Sequence, residues 1–249
     1  MSKIFIFDVD GTLTPSRQKM TKEFKNFFSV WSELNKFYLV TGSDLSKLQE
    51  QMDFMDIESE GIFTCCGNQY WNPDSSIPET SAELVYENKF ELPKHLHLFL
   101  DIILKQSPYP HRYGNHIEDR GSMVNFSIVG RDCTQEQREE FFKWDNEKGE
   151  RAKIANIIKT KAKGIDAVIG GQISIDIYPD GNDKSQILKH IKDRNIVTSN
   201  DEYIFIGDRT EKGGNDYPLA KLMDETDNCK YYQTDGPTHT KKILESLID

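Results

Sequence analysis

The stretch that decides the fold is KIFIFDVDGTLT, residues 3–14. Its apolar run, residues 4–7, does not alternate with polar residues, which predicts a strand buried on both faces, as in a parallel sheet. Two carboxylates, Asp8 and Asp10, follow this run directly. Because ligands of open α/β sheets bind beyond the carboxyl ends of the strands, the order predicts a site at the end of the first strand.

Two further apolar runs, residues 37–40 and 62–65, predict a second and a third buried strand. The segments between the strands have helical periods, formed first by Phe24, Phe27, Phe28, Trp31 and Leu34 and then by Leu45, Leu48 and Met52. Ser43 and Asp44 are candidate N-caps for the second helix. Strands that alternate with helices predict a parallel sheet with right-handed crossovers, a doubly wound α/β domain.

The middle of the chain has a different pattern. It contains a helix from about Pro93, longer strands over residues 123–129 and 172–178, and a capping box, Thr134 to Gln137, that opens another helix. The second strand alternates isoleucines with Ser174, Asp176 and Tyr178, which predicts one buried face and one face in water. This segment is expected to be an α+β insert with an open sheet face.

The α/β pattern then resumes. Asp183 is an expected N-cap, with Lys184 in the first turn of the helix that follows, and a buried strand over residues 203–206 and a helix from about Thr240 complete the chain. The order predicts an α/β core with a parallel sheet, interrupted by an α+β cap domain. The core is expected to comprise residues 1–82 and 184–249, and the cap residues 83–183.

Composition narrows the class of protein. The 249 residues include 31 Lys and Arg against 41 Asp and Glu, a net charge of −10 that disfavours nucleic acid as a partner. No apolar run approaches the roughly 20 residues of a membrane span, and no secretory leader is visible, so we expect a cytoplasmic protein without membrane contact. The four cysteines show no CxxC spacing and are expected to be reduced thiols.

The acidic residues at strand ends predict a cation site. A turn at Gly11 lets the Asp8 side chain and the Asp10 backbone carbonyl share one hard cation. A calcium loop is the simpler alternative, but the segment lacks the preceding helix, the third acidic ligand and the final glutamate of an EF-hand. Magnesium fits better, and Asp208 and Asp216, which bracket a glycine-rich turn after another buried strand, complete the expected site.

Two other motifs point to an anion. Thr41, Gly42 and Ser43 follow the second strand and lead into a helix N-terminus, which can bind an anion, although most such segments only cap a helix. Lys184 stands where the helix dipole disfavours a cation unless negative charge lies nearby. Its simpler interpretation is a solvated surface lysine.

Taken in order, these motifs resemble those of the haloacid dehalogenase (HAD) superfamily of phosphotransferases. The resemblance implies a HAD-like Rossmannoid core and a phosphoaspartate mechanism, with Asp8 as the nucleophile and Asp10 as the general acid and base. It also implies that Thr41 or Ser43, with Lys184, holds the phosphoryl oxygens while Mg²⁺ neutralises charge.

Within that superfamily the chain looks closest to the eukaryotic-type phosphomannomutases, nearly end to end. The segments that carry the likeness are residues 8–17 (DVDGTLTPSR), 42–51 (GSDLSKLQEQ), 125–138 (NFSIVGRDCTQEQR), 170–176 (GGQISID) and 207–217 (GDRTEKGGNDY). The likeness implies interconversion of mannose 6-phosphate and mannose 1-phosphate, with a hexose 1,6-bisphosphate as activator. It also implies a homodimer formed through the cap.

The resemblance assigns a second phosphate site to the cap. By position, Arg120, Arg131 and Arg138 match the arginines that bind the phosphate distal to the nucleophile, Arg17 contributes from the core, and Ser174 and Asp176 match residues that contact the sugar and its phosphate. The planar arginine fork suits bidentate phosphate recognition. For each arginine taken singly, a solvated surface residue is the simpler alternative.

The chain also departs from the family pattern. Gly67-Asn68-Gln69 stands where the family usually has Glu-Asn-Gly, and Asn182 replaces a tryptophan two residues before the motif lysine. Residues 217–228 align poorly with the family's second cation loop, where Asp224 is a ligand only after an assumed insertion. Two alternatives stay open: a sugar-phosphate phosphatase with water as acceptor, and a non-catalytic binding protein.

Overall fold

The computed structural model describes residues 2–52, 58–73, 82–194 and 201–247, which form two compact units. The core unit consists of Met1–Glu87, Asn182–Lys212 and Asp216–Asp249, and the insert unit of Asn88–Gly181 and Gly213–Asn215. The borders differ from those expected at 82/83 and 183/184. The reason is physical: residues 82–87 form a strand of the core sheet, and Gly213 O accepts a hydrogen bond from Ile169 N of the insert.

One seven-stranded sheet forms the centre of the core unit. In sheet order its strands are β11 (Cys229–Gln233), β10 (Glu202–Gly207), β1 (Lys3–Phe7), β2 (Lys36–Val40), β3 (Gly61–Thr64), β4 (Gln69–Pro73) and β5 (Ala82–Glu87). The pairs from β11 to β3 are parallel, and those from β3 to β5 antiparallel. The four apolar runs are confirmed as β1, β2, β3 and β10, except that Cys65 begins a short 3-10 helix, Cys65–Gly67.

Helices cover both faces of this sheet. Phe5 and Phe7 of β1 pack in one apolar cluster with residues of α1 (Lys22–Ser32), α2 (Leu45–Gln51) and α8 (Pro237–Ser246). Ile4 and Ile6 point to the opposite cluster, which includes residues of α6 (Gln186–Arg194) and α7 (Tyr217–Asp224). This alternation along β1 places a hydrophobic layer on each side and confirms the doubly wound α/β fold.

Three details of the predicted helices are wrong. Leu34 is 83% exposed because α1 ends at Ser32, before the apolar period reaches it. The last helix begins at Pro237 rather than Thr240, since proline suits the first helical position. Lys184 precedes α6 instead of lying in its first turn, because Asp183 accepts a bond from Ser185 N (2.8 Å) in a turn ahead of the helix.

The insert unit is α+β, as expected. Its four-stranded antiparallel sheet has the order β6 (Ile117–Asp119), β7 (Val124–Ser127), β9 (Ser174–Pro179) and β8 (Ile165–Gly170), and its helices are α3 (Lys94–Gln106), α4 (Gln135–Lys148) and α5 (Glu150–Lys161). The capping box is confirmed, because Thr134 Oγ1 accepts from Gln137 N while Gln137 Oε1 accepts from Thr134 N (2.8 Å).

The prediction that one face of β9 lies in water is wrong. Ser174, Asp176 and Tyr178 are as buried as the isoleucines between them. Two of these residues accept side-chain hydrogen bonds from Arg131 and Asn125, so the polar face is covered by a hydrogen-bonded network. In β9, alternation therefore separated a polar face from an apolar face, but it did not show which face is exposed to solvent.

Two findings bear on environment. Over the described ranges, no helix has both the length and the apolar character that a membrane crossing requires. The four cysteines are free thiols, with Cys65 and Cys66 buried and Cys133 and Cys229 half-buried.

Candidate active site

Three carboxylates meet at the carboxyl end of the core sheet. Asp8 follows β1 and its backbone N donates to Ile206 O of β10 (3.0 Å), while Asp208 follows β10 and Asp216 precedes α7. One oxygen from each carboxylate lies within 4.8 Å of the others. Gly11 permits this approach, because it has φ +82° and a Cβ there would lie 2.5 Å from Asp208 Oδ2. We call Asp8, Asp208 and Asp216, with Lys184, the acidic cluster.

Lys184 lies between two of these carboxylates. Its Nζ donates to Asp8 Oδ1 and to Asp216 Oδ1, both at 2.6 Å, and its side chain is fully buried. The solvated-lysine alternative is therefore wrong. The negative charge that a cation needs at this end of the helix dipole comes from the two carboxylates.

The electrostatics of the acidic cluster are those of charges held away from water. Burial raises the pKa of Asp8 to about 7, although attraction by Lys184 opposes this shift. Burial, with repulsion from Asp8 and Asp216, raises the pKa of Asp208 well above its ordinary value. Burial lowers the pKa of the Lys184 ammonium, but the attraction of Asp216 and Asp8 outweighs it, so that pKa lies well above its usual range.

Asp10 is held apart from the acidic cluster. Its Oδ1 accepts bonds from the backbone N of Arg17 (2.7 Å) and from Gln51 Nε2 (2.8 Å). The structure thus directs its side chain to partners outside the acidic cluster. Gln51 was not predicted as a site residue, although a polar residue on the apolar face of α2 is a signal for one.

The Thr41–Ser43 loop lies at the end of β2. Thr41 N donates to Phe63 O (2.9 Å), and Ser43 N donates to Thr41 Oγ1 (3.0 Å). Asp44, rather than Ser43, caps α2, because its side chain accepts from Lys47 N (2.9 Å). Ser43 Oγ instead accepts from Arg17 Nη1 at 3.5 Å, so this candidate substrate residue and the loop are neighbours. Gly42 lies between Thr41 and Ser43 in this loop.

In the insert unit, two candidate arginines share one carboxylate. Glu118 Oε2 lies 2.6 Å from Arg120 Nη2 and 3.4 Å from Arg131 Nη2. Arg131 Nη1 also donates to Ser174 Oγ (2.9 Å) and Asn125 Oδ1 (3.0 Å). We call Arg120, Arg131 and Glu118 the arginine cluster.

The other candidates of the insert unit are also buried. Arg138 lies on α4 with its side chain out of water, so the solvated-surface alternative is wrong for it, as it is for Arg120 and Arg131. Asp176 accepts from Asn125 Nδ2 (2.7 Å) and from Asn215 Nδ2 (3.4 Å).

Glu118 and Asn125 were not predicted as site residues from the sequence. Asn125 carried a signal, a polar residue inside a buried strand, whereas a single glutamate such as Glu118 carries none. Asp224, the alternative cation ligand, is exposed at the end of α7.

The arrangement has two kinds of chemistry available. The acidic cluster offers a buried carboxylate, one fixed ammonium and room for a cation between acids. The arginine cluster offers two guanidinium groups, the kind of side chain that binds phosphate through paired hydrogen bonds.

Solved structures resemble this chain in fold. The IMP-nucleotidase of Plasmodium falciparum with IMP bound matches with a TM-score of 0.61 at 16% identity, over 99% of this chain and 66% of that one. A phosphatase of the HAD superfamily from Bacteroides thetaiotaomicron matches with a TM-score of 0.54 at 15% identity, over 99% of this chain and 95% of that one. At these identities the likeness establishes the HAD fold alone.

Sequence relatives are closer. Phosphomannomutase 1 of Dictyostelium discoideum is 34% identical over 247 residues, which is 98% of this chain and 96% of that protein. A phosphomannomutase of Encephalitozoon cuniculi is 36% identical over 225 residues, 89% of this chain and 85% of that protein. The family model for eukaryotic phosphomannomutase matches residues 24–249. With relatives of this similarity over nearly its whole length, the chain belongs to the eukaryotic phosphomannomutase family.

Proposed function

We propose that this protein is a phosphohexomutase that interconverts mannose 6-phosphate and mannose 1-phosphate through an aspartyl phosphate on Asp8 and a hexose 1,6-bisphosphate. One observation carries the proposal: the same chain holds a buried carboxylate, Asp8, beside an ammonium and, separately, two buried arginines gathered at one carboxylate. A mutase needs a site for each phosphate of its bisphosphate, whereas hydrolysis of a monoester needs one.

In this mechanism Asp8 Oδ attacks phosphorus and the bond from phosphorus to the sugar oxygen breaks. Lys184 orients Asp8 and holds phosphoryl oxygens, together with Thr41, Gly42 and Ser43. Asp10 protonates the leaving sugar oxygen and later takes the proton from the hydroxyl that accepts the phosphoryl group. Its bonds to Arg17 N and Gln51 fix its carboxylate for that transfer.

The charge of the acidic cluster fits a divalent cation. With all three carboxylates ionised against one ammonium, two negative charges would remain out of water, and the raised pKa values of Asp8 and Asp208 reflect that cost. We propose that Asp8, Asp208, Asp216 and the carbonyl of Asp10 hold Mg²⁺, whose preference is for a few carboxylates and retained water. When bound, Mg²⁺ supplies positive charge that balances the transferring phosphoryl group.

The second phosphate is assigned to the insert unit. Arg120, Arg131 and Arg138 would bind it, and Ser174 and Asp176 would contact the sugar and phosphate. The network of Arg131 with Asn125 and Ser174 holds its guanidinium in place before any ligand arrives, which lowers the entropy lost on binding.

The test uses the purified protein with mannose 1-phosphate, Mg²⁺ and a trace of glucose 1,6-bisphosphate. We expect mannose 6-phosphate to accumulate, with free phosphate a minor product. Stoichiometric free phosphate without isomer would establish the phosphatase alternative instead. If neither product forms, only the non-catalytic binding protein remains as an interpretation.

We further propose a homodimer formed through the insert unit. On α3, Leu96 and Leu100 belong to the core, but Leu98 and Ile102 on the other side are more than half exposed. Light scattering at micromolar concentration tests this, with a dimer mass expected for the parent and a monomer mass for Leu98→Glu. A monomeric parent would contradict the proposal.

A further inference from the structure

The connection after β3 has an unusual backbone. Cys65, Cys66 and Gly67 have φ values of 52°, 58° and 91°, a left-handed run that costs energy at non-glycine residues. Two backbone bonds hold it, from Cys65 N to Ser43 O (3.0 Å) and from Cys66 N to Thr41 O (2.9 Å). The candidate phosphoryl-binding loop, Thr41–Ser43, is therefore hydrogen-bonded directly to this connection.

The next residue, Asn68, is fully buried and bonds in two directions. Its Nδ2 donates to Cys65 O (2.8 Å), which closes the left-handed run, and to the backbone O of Asn182 (2.9 Å). In return, Asn182 Nδ2 donates to Asn68 Oδ1 (2.9 Å). The two asparagines thus form a reciprocal pair between segments far apart in the chain.

This pair lies beside the lysine of the acidic cluster. Asn182 precedes Lys184 by two residues, and Gln186 follows it by two. Gln186 Nε2 donates to Cys66 O (3.2 Å) and approaches Asn68 Oδ1 (3.4 Å). The backbone that carries Lys184 is therefore attached on both sides to the connection over residues 65–68.

We propose that Asn68 is a positioning residue, which through its reciprocal pair with Asn182 sets Lys184 in register with the Thr41–Ser43 loop. Lys184 must reach Asp8 and Asp216 together at 2.6 Å, and its buried side chain has little freedom to follow a displaced backbone. This inference rests on the proposed role of Lys184 in holding the phosphoryl group.

One member of the pair departs from the family pattern. Asn182 stands where the family has a tryptophan, whereas Asn68 matches the middle residue of the family's Glu-Asn-Gly. In the structure the departing residue is hydrogen-bonded to the matching one.

The experiment compares Asn68→Ala, Asn182→Ala and the double variant with Asn35→Ala. The control makes the same substitution and removes one amide bond, from Asn35 Nδ2 to Trp31 O (2.8 Å), away from the site. Two quantities are measured: kcat and KM for mannose 1-phosphate, and the Kd of inorganic phosphate with Mg²⁺ present, by phosphorus NMR titration.

We expect each single variant of the pair to lower kcat and weaken phosphate binding about tenfold. The double variant should lose no more activity and phosphate affinity than the more affected single variant, because both substitutions break the same pair. In a Lys184→Met background, Asn182→Ala should change phosphate affinity less than about twofold, because its effect acts through the lysine. Asn182→Asp, which keeps the size but cannot donate to Asn68 Oδ1, replaces the alanine variant if that one unfolds.

Losses that multiply in the double variant, or that persist in the Lys184→Met background, would overturn the inference and leave a purely structural pair. An equal loss in Asn35→Ala would do the same. If the parent protein isomerises nothing, the proposed function fails, whereas the phosphate titration still decides whether the pair acts through Lys184.

Discussion

The acidic cluster and the arginine cluster are built on the same plan with opposite charge. In the core unit one ammonium, Lys184, lies 2.6 Å from two carboxylates, and a third acid lies nearby. In the insert unit one carboxylate, Glu118, lies within 3.4 Å of two guanidinium groups. The first cluster has more carboxyl groups than ammonium groups, and the second has more guanidinium groups than carboxylates.

This difference indicates a separate role for each cluster. A group of carboxyls can bind a cation and includes an oxygen nucleophile, whereas guanidinium groups bind phosphate but offer no nucleophile. Chemistry is therefore expected in the core unit, and holding of the substrate in the insert unit.

A third buried group of charges shows the contrast. Arg151 Nε donates to Asp145 Oδ2 at 2.6 Å, and both side chains are buried in the insert unit. Here one positive and one negative charge balance each other. We expect such a balanced pair to support the fold, and the two unbalanced clusters to support activity.

The largest effect is expected for Asp8→Asn. Loss of the nucleophile should lower both the isomerisation of mannose 1-phosphate and the hydrolysis of acetyl phosphate by at least about a thousandfold. The melting temperature should not fall, because the amide removes a carboxylate whose burial raises its pKa. Steady-state assays and a thermal melt check both expectations, and turnover that survives unchanged would rule out a phosphoaspartate at this position.

The balanced pair gives the next largest effect, on stability. Arg151→Met should lower the free energy of unfolding by about 3–5 kcal/mol, because Asp145 is left buried without its partner. The control is Lys221→Ala at the exposed Lys221–Glu225 pair, 3.7 Å apart, with an expected change below about 0.5 kcal/mol. Urea unfolding measures both, and equal changes would mean that burial of the pair does not matter.

A smaller effect follows from the raised pKa values of Asp8 and Asp208. Both carboxyls bind protons more tightly in the folded state than in the unfolded chain. Without metal, their contribution to stability is therefore present at low pH and is lost as pH rises, for Asp8 from about 4 through about 7. The slope is at most about 1.4 kcal/mol per pH unit for each proton.

Addition of Mg²⁺ should counteract this loss, because it binds the ionised carboxylates. The rise in melting temperature on adding Mg²⁺ should therefore be larger at pH 8 than at pH 5. Asp8→Asn should reduce that difference. If Mg²⁺ raises the melting temperature equally at both pH values, the carboxyls of Asp8 and Asp208 are ionised throughout that range.

Much of the core unit could be predicted from sequence. The unbroken apolar runs of β1, β2, β3 and β10 mark strands buried on both faces, and each candidate motif directly follows such a run or precedes a helix. The edge strand β5 escaped prediction because its residues are half exposed and its pattern is neither alternating nor fully apolar.

Contacts between distant segments could not be predicted in the same way. Glu118 meets Arg131 because the segment with β6 pairs with β7 and with the residues after it, which no local pattern encodes. Lys184 was interpretable as a surface residue until its bonds to Asp8 and Asp216 were known. Likewise, the pairing of Asn68 with Asn182 depends on the approach of two segments far apart in the chain.

The most direct test of separate roles for the two clusters is a ratio. For Arg131→Ala and Arg138→Ala we measure kcat/KM for mannose 1-phosphate isomerisation and for hydrolysis of acetyl phosphate, which has no second phosphate. Loss of one charge-assisted contact, about 1.5–3 kcal/mol, should lower isomerisation roughly tenfold to a hundredfold and leave acetyl phosphate hydrolysis within about twofold of the parent. Equal losses in both activities would contradict the account, because these arginines would then support the core chemistry or the fold and not a second phosphate site.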